Sequence, residues 1–178
     1  LRPGTASQPV ADAQKTREAI TSGRTVLYEP AFIYNQVIVY NDVLVKRDDG
    51  WHLFEVKSNI HIPDHYKEDL AVQAYVVRGS GQQLRSASII HLKIPLSEIK
   101  ADHPLQEIFD ITDLTEECLE RQAGIEKNIA EMQLTLALRR VPDIPTGAHC
   151  QTPYPCEFTG HCQDKTPELN EGVFSLFT

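Results

Sequence analysis

Residues 36–58 read QVIVYNDVLVKRDDGWHLFEVKS. An almost continuously apolar run, Gln36 to Lys46, meets the polar turn Arg47-Asp48-Asp49-Gly50, and a second run follows from Trp51 to Ser58. Asp-Gly tolerates the positive φ of a tight hairpin, so this stretch predicts two antiparallel strands. Thr25 to Asn35 (TVLYEPAFIYN) precedes it and is rich in β-branched and aromatic residues, with Asn35-Gln36 as a weaker turn signal. The three runs together predict an antiparallel three-strand meander.

Outward from the meander, Pro63-Asp64 opens a helix reaching about Arg78, with Leu70, Ala74 and Val77 on one face and Ala71 and Val76 beside it. Gly79-Ser80-Gly81 ends it, and Ala87 to Ile94 forms a fourth strand. A strand–helix–strand order predicts a crossover that returns the fourth strand parallel to the third. Residues 10–22 form a polar helix stopped at Gly23, and residues 95–110 carry no clear pattern. A long helix starts near Thr112 or Asp113, where Asp113 and Glu116 have capping-box spacing, and runs to about Arg140. Its stripe is Leu114, Cys118, Ile125, Ile129, Met132 and Leu136; Pro142 and Pro145 terminate it. The expected fold is α/β, a central mixed sheet flanked by helices with a C-terminal cysteine-rich metal-binding segment. The expected divisions are a core over 1–147, a cysteine segment over 148–165 packed on that core, and a tail over 166–178.

The 178 residues carry 17 Lys+Arg against 25 Asp+Glu, a formal charge of −8, which taken alone argues against a nucleic-acid binder. No stretch approaches the roughly 20 apolar residues of a membrane span, and nothing at Leu1 reads as a secretory signal. The expectation is a cytoplasmic protein with no membrane partner. Leu1 is not preceded by Met, which reads as a start inside a longer chain whose further domains are partners.

Chemistry concentrates at Asp42 and at Glu55-Val56-Lys57. Twelve residues separate Asp42 from Glu55, so a hairpin brings them side by side, and Leu53, Glu55 and Lys57 leave one face of their strand. Charges in an apolar region are unfavourable unless paired or bound to metal. Two carboxylates on adjacent strands suit Mg²⁺ or Mn²⁺, and a neighbouring lysine can orient a water or stabilise charge on a phosphate. The alternative is a solvent-facing Glu–Lys pair on an edge strand.

Asp42 with Glu55-Val56-Lys57 resembles the D…ExK signature of the PD-(D/E)XK nuclease superfamily. Asp69-Leu-Ala-Val-Gln73-Ala-Tyr75 is similar to the glutamine motif of its RecB branch, with Tyr75 two residues after the glutamine where the family commonly has four. The resemblance covers about residues 14–165. It implies that Asp42, Glu55 and the Val56 carbonyl hold Mg²⁺ or Mn²⁺, that Lys57 is catalytic, and that Gln73 orients Lys57 or substrate. The branch often adds an upstream His ligand. No His precedes His52; Glu29 is the nearest acidic substitute and Glu18 the next.

Cys150, Cys156 and Cys162 are spaced C-x5-C-x5-C between His149 and the end of His161-Cys162, with no hydrophobic periodicity. Clustered thiolates favour a soft metal. The placement resembles AddB and the CRISPR-associated RecB-like iron–sulfur exonucleases. Its form is most similar to an uncharacterised bacterial family with a RecB-like nuclease domain ahead of a ribonuclease H-like domain. That resemblance implies a [4Fe-4S] cluster on Cys150, Cys156 and Cys162. Zinc with His149 or His161, or three reduced thiols, remain the alternatives; Cys118 reads as a core residue.

The expected function is metal-dependent hydrolysis of DNA, at single strands or ends, with a non-catalytic binding module of the same fold as the rival. Glu116, Glu117, Glu120, Glu126 and Glu131 account for much of the acidity as a solvated helix face, while Lys46, Arg47, Lys57, Lys67 and Arg78 are expected near the site. Without a broad basic surface, DNA binding should be weak and its salt dependence shallow.

Overall fold

A computed structural model of the chain describes residues 7–152 and 154–164. The tail expected over 166–178 lies outside the described residues. Two compact units divide between Ala130 and Glu131. None of the described helices is long and apolar enough to cross a membrane.

The first unit is α/β. Helix α1 (Ser7–Thr21) precedes the strands β1 (Val26–Tyr28), β2 (Ala31–Tyr34), β3 (Val37–Tyr40), β4 (Val43–Arg47) and β5 (Gly50–Val56). Helix α2 (Asp64–Gly79) and β6 (Leu84–Leu92) follow, then the short α3 (Leu105–Ile108), β7 (Phe109–Asp113) and α4 (Thr115–Leu136). The main sheet has the order β1-β4-β5-β6-β7; β2 and β3 form a separate two-stranded sheet. Only β5–β6 is parallel, the other pairs being antiparallel, so the sheet is mixed as the strand–helix–strand order implied.

The expected meander is corrected in one respect. The two runs before the Arg47–Gly50 turn do not stay in one sheet; each breaks at its middle, at Glu29-Pro30 and at Asn41-Asp42. Pro30 has no N–H for the ladder. The backbone bends there, with Glu29 at φ 49°, and the two breaks are bridged by Glu29 N–H to the Asp42 carbonyl (3.0 Å) and Asn41 N–H to the Pro30 carbonyl (3.1 Å). One hairpin thus becomes two, β2–β3 beyond the bend and β1–β4 before it. Asn35 (φ 47°) and Gln36 (φ 62°) close the outer hairpin, and φ positive at both central residues is the type I′ requirement. The inner turn ends at Gly50, whose φ of 143° and approach to the Gln83 carbonyl leave no room for a Cβ.

Helix α2 buries the face the spacing indicated: Leu70, Ala71, Ala74, Val76 and Val77 pack with Leu44, Leu53 and Ile89. The patternless segment contains β7, missed because Phe109–Asp113 has only two apolar residues in alternation. Helix α4 starts later than Thr112 or Asp113, at Thr115; Asp113 ends β7 and makes no capping box with Glu116, its Oδ1 accepting instead from Thr115 N–H at 2.8 Å. Arg121 on α4 grips α2 through Asp64 (2.6 Å). The α4 stripe holds for Leu114, Cys118, Ile125 and Ile129 but not beyond: Met132 is 62% and Leu136 85% exposed, so those two are not core. The helix also stops short of the expected Arg140. Burial pushes the Cys118 thiol up to about 11, which suits an inert core cysteine.

The second unit contains the end of α4, a single 3₁₀ turn at Ala148–Cys150 and α5 (Thr159–Asp164).

Gly79 supports the Tyr34 ring, and a Cβ at Gly79 would overlap that ring. Alanine normally gains up to about 1 kcal/mol over glycine in a helix, but forced overlap costs roughly 1–3 kcal/mol. Gly79→Ala is therefore expected to lower the thermal midpoint by a few degrees. In a Tyr34→Ala background the same change should raise it, and thermal melts of the four proteins check both signs.

Candidate active site

The β4–β5 register sets the site. Its last pair is Val43–Phe54, so the next position on each strand puts Asp42 opposite Glu55. Asp42 is not in a strand, as the sequence suggested, but in the bend after β3. Leaving the ladder lets its Oδ2 turn and accept the Val56 N–H at 2.7 Å, which seats the carboxylate against the end of β5.

Glu55 is only 7% exposed. Its Oε1 accepts from Lys57 Nζ at 2.7 Å, and the same ammonium reaches Asp69 Oδ2 on α2 at 3.0 Å. The ammonium also lies 4.9 Å from the centre of the Tyr66 ring, a cation–π distance. Glu55 Oε2 is buried without a hydrogen-bond partner. Burial is the largest influence on Glu55 and raises its pKa; Lys57 and Gln73 offset this in part, and Asp42 adds to it. The Gln73 amide lies near enough to favour the ionised form of Glu55 by hydrogen bonding, yet too far to satisfy Oε2. Burial disfavours charge on Lys57, but the hydrogen bonds to Glu55 and Asp69 outweigh it and hold the ammonium above the usual lysine range.

Gln73 is buried, and its Oε1 accepts from Asn41 Nδ2 at 2.8 Å. This bond ties α2 to the residue next to Asp42. Tyr75 points elsewhere, taking a hydrogen bond from Asn35 (3.2 Å) and packing on Tyr34. Glu29 meets Asp42 through the backbone and is itself exposed. Glu18 is exposed on α1 and accepts from Gln14.

Asp69, Asn41 and Tyr66 belong to this group and were not picked out from sequence. Asp69 had a usable signal, since it precedes Gln73 by four residues and shares its helix face. Asn41 had none, because strict alternation would turn it away from its neighbour's side. The basic residues are also redistributed. Lys46 and Arg47 pair with Trp51 and Gly50, at the far end of the hairpin from Glu55. Four residues of strand amount to about 13 Å. Arg78 sits at the opposite end of α2 from Asp69.

An orphan carboxylate oxygen in a buried position costs on the order of 1–3 kcal/mol, and a cation would remove that penalty. The available donors are carboxylate oxygens, which fits Mg²⁺ or Mn²⁺. Among the described residues no three His, Cys, Asp or Glu side chains are grouped closely enough to hold an ion together. Two carboxylates with water and phosphate completing the shell is the common way Mg²⁺ is held.

In the second unit, Cys150, Cys156, Cys162, His149 and His161 line one cavity of about 590 Å³. Cys150 is buried and Cys156 exposed.

In metal-free protein, Glu55→Gln should raise stability by about 1 kcal/mol, or roughly 2–4 °C. Because the folded state raises the Glu55 pKa, wild type keeps its full stability below the unfolded value and loses some as pH rises through the folded one. The advantage of Gln is expected to appear between acid and neutral pH in melts with EDTA; a destabilised variant at neutral pH would refute it. The chain matches no protein-family model and no curated protein sequence.

Proposed function

We propose that the chain is a Mg²⁺- or Mn²⁺-dependent nuclease that hydrolyses DNA phosphodiester bonds, acting on single strands or ends. The observation that carries this reading is the buried, partnerless Glu55 Oε2 beside Asp42, within a carboxylate–lysine group.

In this reading Asp42, Glu55 and the Val56 carbonyl hold the cation. When bound, it would polarise the phosphate and lower the pKa of a water. Asp42 is fixed for its role by the Val56 N–H, so little reorganisation is needed when the cation arrives. Lys57, held as an ammonium by Glu55 and Asp69, has no lone pair to accept a proton. It therefore acts as a donor to a phosphate oxygen, not as a general base. Gln73 steadies Glu55 and, through Asn41, the bend that carries Asp42. Asp69 positions Lys57 from the helix side.

The same reading gives Cys150, Cys156 and Cys162 a [4Fe-4S] cluster, with zinc as the alternative. Their C-x5-C-x5-C spacing is what supports it; among the described residues the thiols are not grouped closely enough to hold an ion as they stand.

Labelled single- and double-stranded DNA should be degraded with Mn²⁺. Lys57→Ala should lower the rate by roughly two to three orders of magnitude while the fold persists. Calorimetry should show Mn²⁺ binding that Asp42→Ala removes. Full activity in a folded Asp42→Ala, Lys57→Ala double variant would reject the mechanism, and Mn²⁺ binding without hydrolysis would favour a binding module. Anaerobically purified protein should be brown; stoichiometric zinc without colour would reject the cluster.

A further inference from the structure

A cleft of about 400 Å³ opens beside the Glu29-Pro30 bend, between α1 and the strands on either side of that bend. Its walls include Asp12, Lys15, Tyr28, Glu29 and Tyr40. The volume lies within the range of about 300–1,000 Å³ usual for small-ligand sites. Two features separate it from an ordinary surface dip. It offers two aromatic side chains, Tyr28 at 76% and Tyr40 at 47% exposure. It also adjoins the carboxylate site through the backbone, where Glu29 N–H bonds the Asp42 carbonyl at 3.0 Å.

The charge inside the cleft says which part of a nucleotide it suits. Lys15 is paired with Asp12 at 3.1 Å, and Tyr40 Oη donates to the other oxygen of Asp12 at 3.2 Å. That leaves the Glu29 carboxylate as the excess charge, so the cleft repels a phosphate. A neutral, flat group with amino donors meets no such penalty. It can lie on a tyrosine ring and donate to a carboxylate.

We propose that this cleft receives one unstacked nucleobase of a single strand whose neighbouring phosphate lies at Asp42 and Glu55. The assignment rests on the nuclease reading for the phosphate and on the cleft's own side chains for the base. Stacking on an aromatic ring is available to every base, which gives affinity for single strands over duplex, where bases are already stacked. The Glu29 carboxylate adds a preference for bases with an exocyclic amino group, namely adenine, cytosine and guanine, over thymine. Single-strand selectivity thus comes from two tyrosines and not from a basic groove, which agrees with a chain of charge −8.

The test uses the 178-residue chain with Ca²⁺ in place of Mn²⁺ and measures fluorescence anisotropy of labelled dA12, dC12 and dT12, with a duplex as reference. Tyr28→Ala and Tyr40→Ala should each weaken dA12 binding by about tenfold. Tyr28→Phe keeps the ring and should bind as wild type does. Binding of dA12 and dC12 should exceed that of dT12, and Glu29→Gln should narrow the gap. Circular dichroism of each variant establishes folding. Unchanged affinity in both alanine variants, loss in Tyr28→Phe equal to that in Tyr28→Ala, or no single-strand binding by wild type would overturn the proposal. Mn²⁺ calorimetry on wild type and Asp42→Asn separates the two readings. Asp42-dependent Mn²⁺ binding with tyrosine-independent DNA binding sinks the cleft alone. Tyrosine-dependent DNA binding without Mn²⁺ binding sinks the nuclease reading and leaves the cleft standing.

Discussion

The geometry of the first unit depends on one missing hydrogen. Pro30 cannot donate to a ladder, and a proline in the middle of a long strand forces the chain to leave the sheet. The partner strand has to break with it, and it does so at Asn41-Asp42. From this follow the split into two hairpins and the release of Asp42 from the pleat. Asp42 then accepts the Val56 N–H, and Asn41 turns to Gln73. An unbroken meander would have fixed their side chains on opposite faces.

The second constraint is the sharing of Lys57 between a strand and a helix. Glu55 belongs to β5 and Asp69 to α2, so the ammonium joins two layers across the mouth of the core. Breaking a buried ion pair by removing one partner is generally worse than never having built it. Here the lysine retains a second carboxylate whichever one is otherwise engaged. The arrangement lets Glu55 turn toward a cation without stranding the charge beside it.

Much of this was legible in the residues. The hairpin at Arg47–Gly50, the apolar face of α2 and the crossover to β6 all follow from local rules and suffice to set Asp42 opposite Glu55. The central turn pair is nonetheless Asp48-Asp49, neither at positive φ, and Gly50 already belongs to β5. Pro30 was visible too, yet its effect falls on residues eleven and twelve positions away in another strand, where no local pattern announces it. Asn41 and the true position of Asp42 therefore needed the structure. The α4 stripe shows the opposite failure. Its periodicity continues to Leu136, but periodicity records what a helix could bury, and the exposed Met132 and Leu136 show where burial ends. The basic residues counted near the site from sequence lie mostly at the other ends of their elements, because proximity along a chain says little about proximity across a hairpin.

The orphan oxygen of Glu55 also has a meaning in evolutionary time. Selection for stability alone acts against a buried carboxylate with one oxygen unpaired, and a single nucleotide change converts a glutamate codon to a glutamine codon. A lineage that stopped using the site would have no reason to keep the acid. Position 55 is therefore where disuse would first be written into the sequence, ahead of Asp42, whose hydrogen bond to Val56 gives it a structural reason to persist.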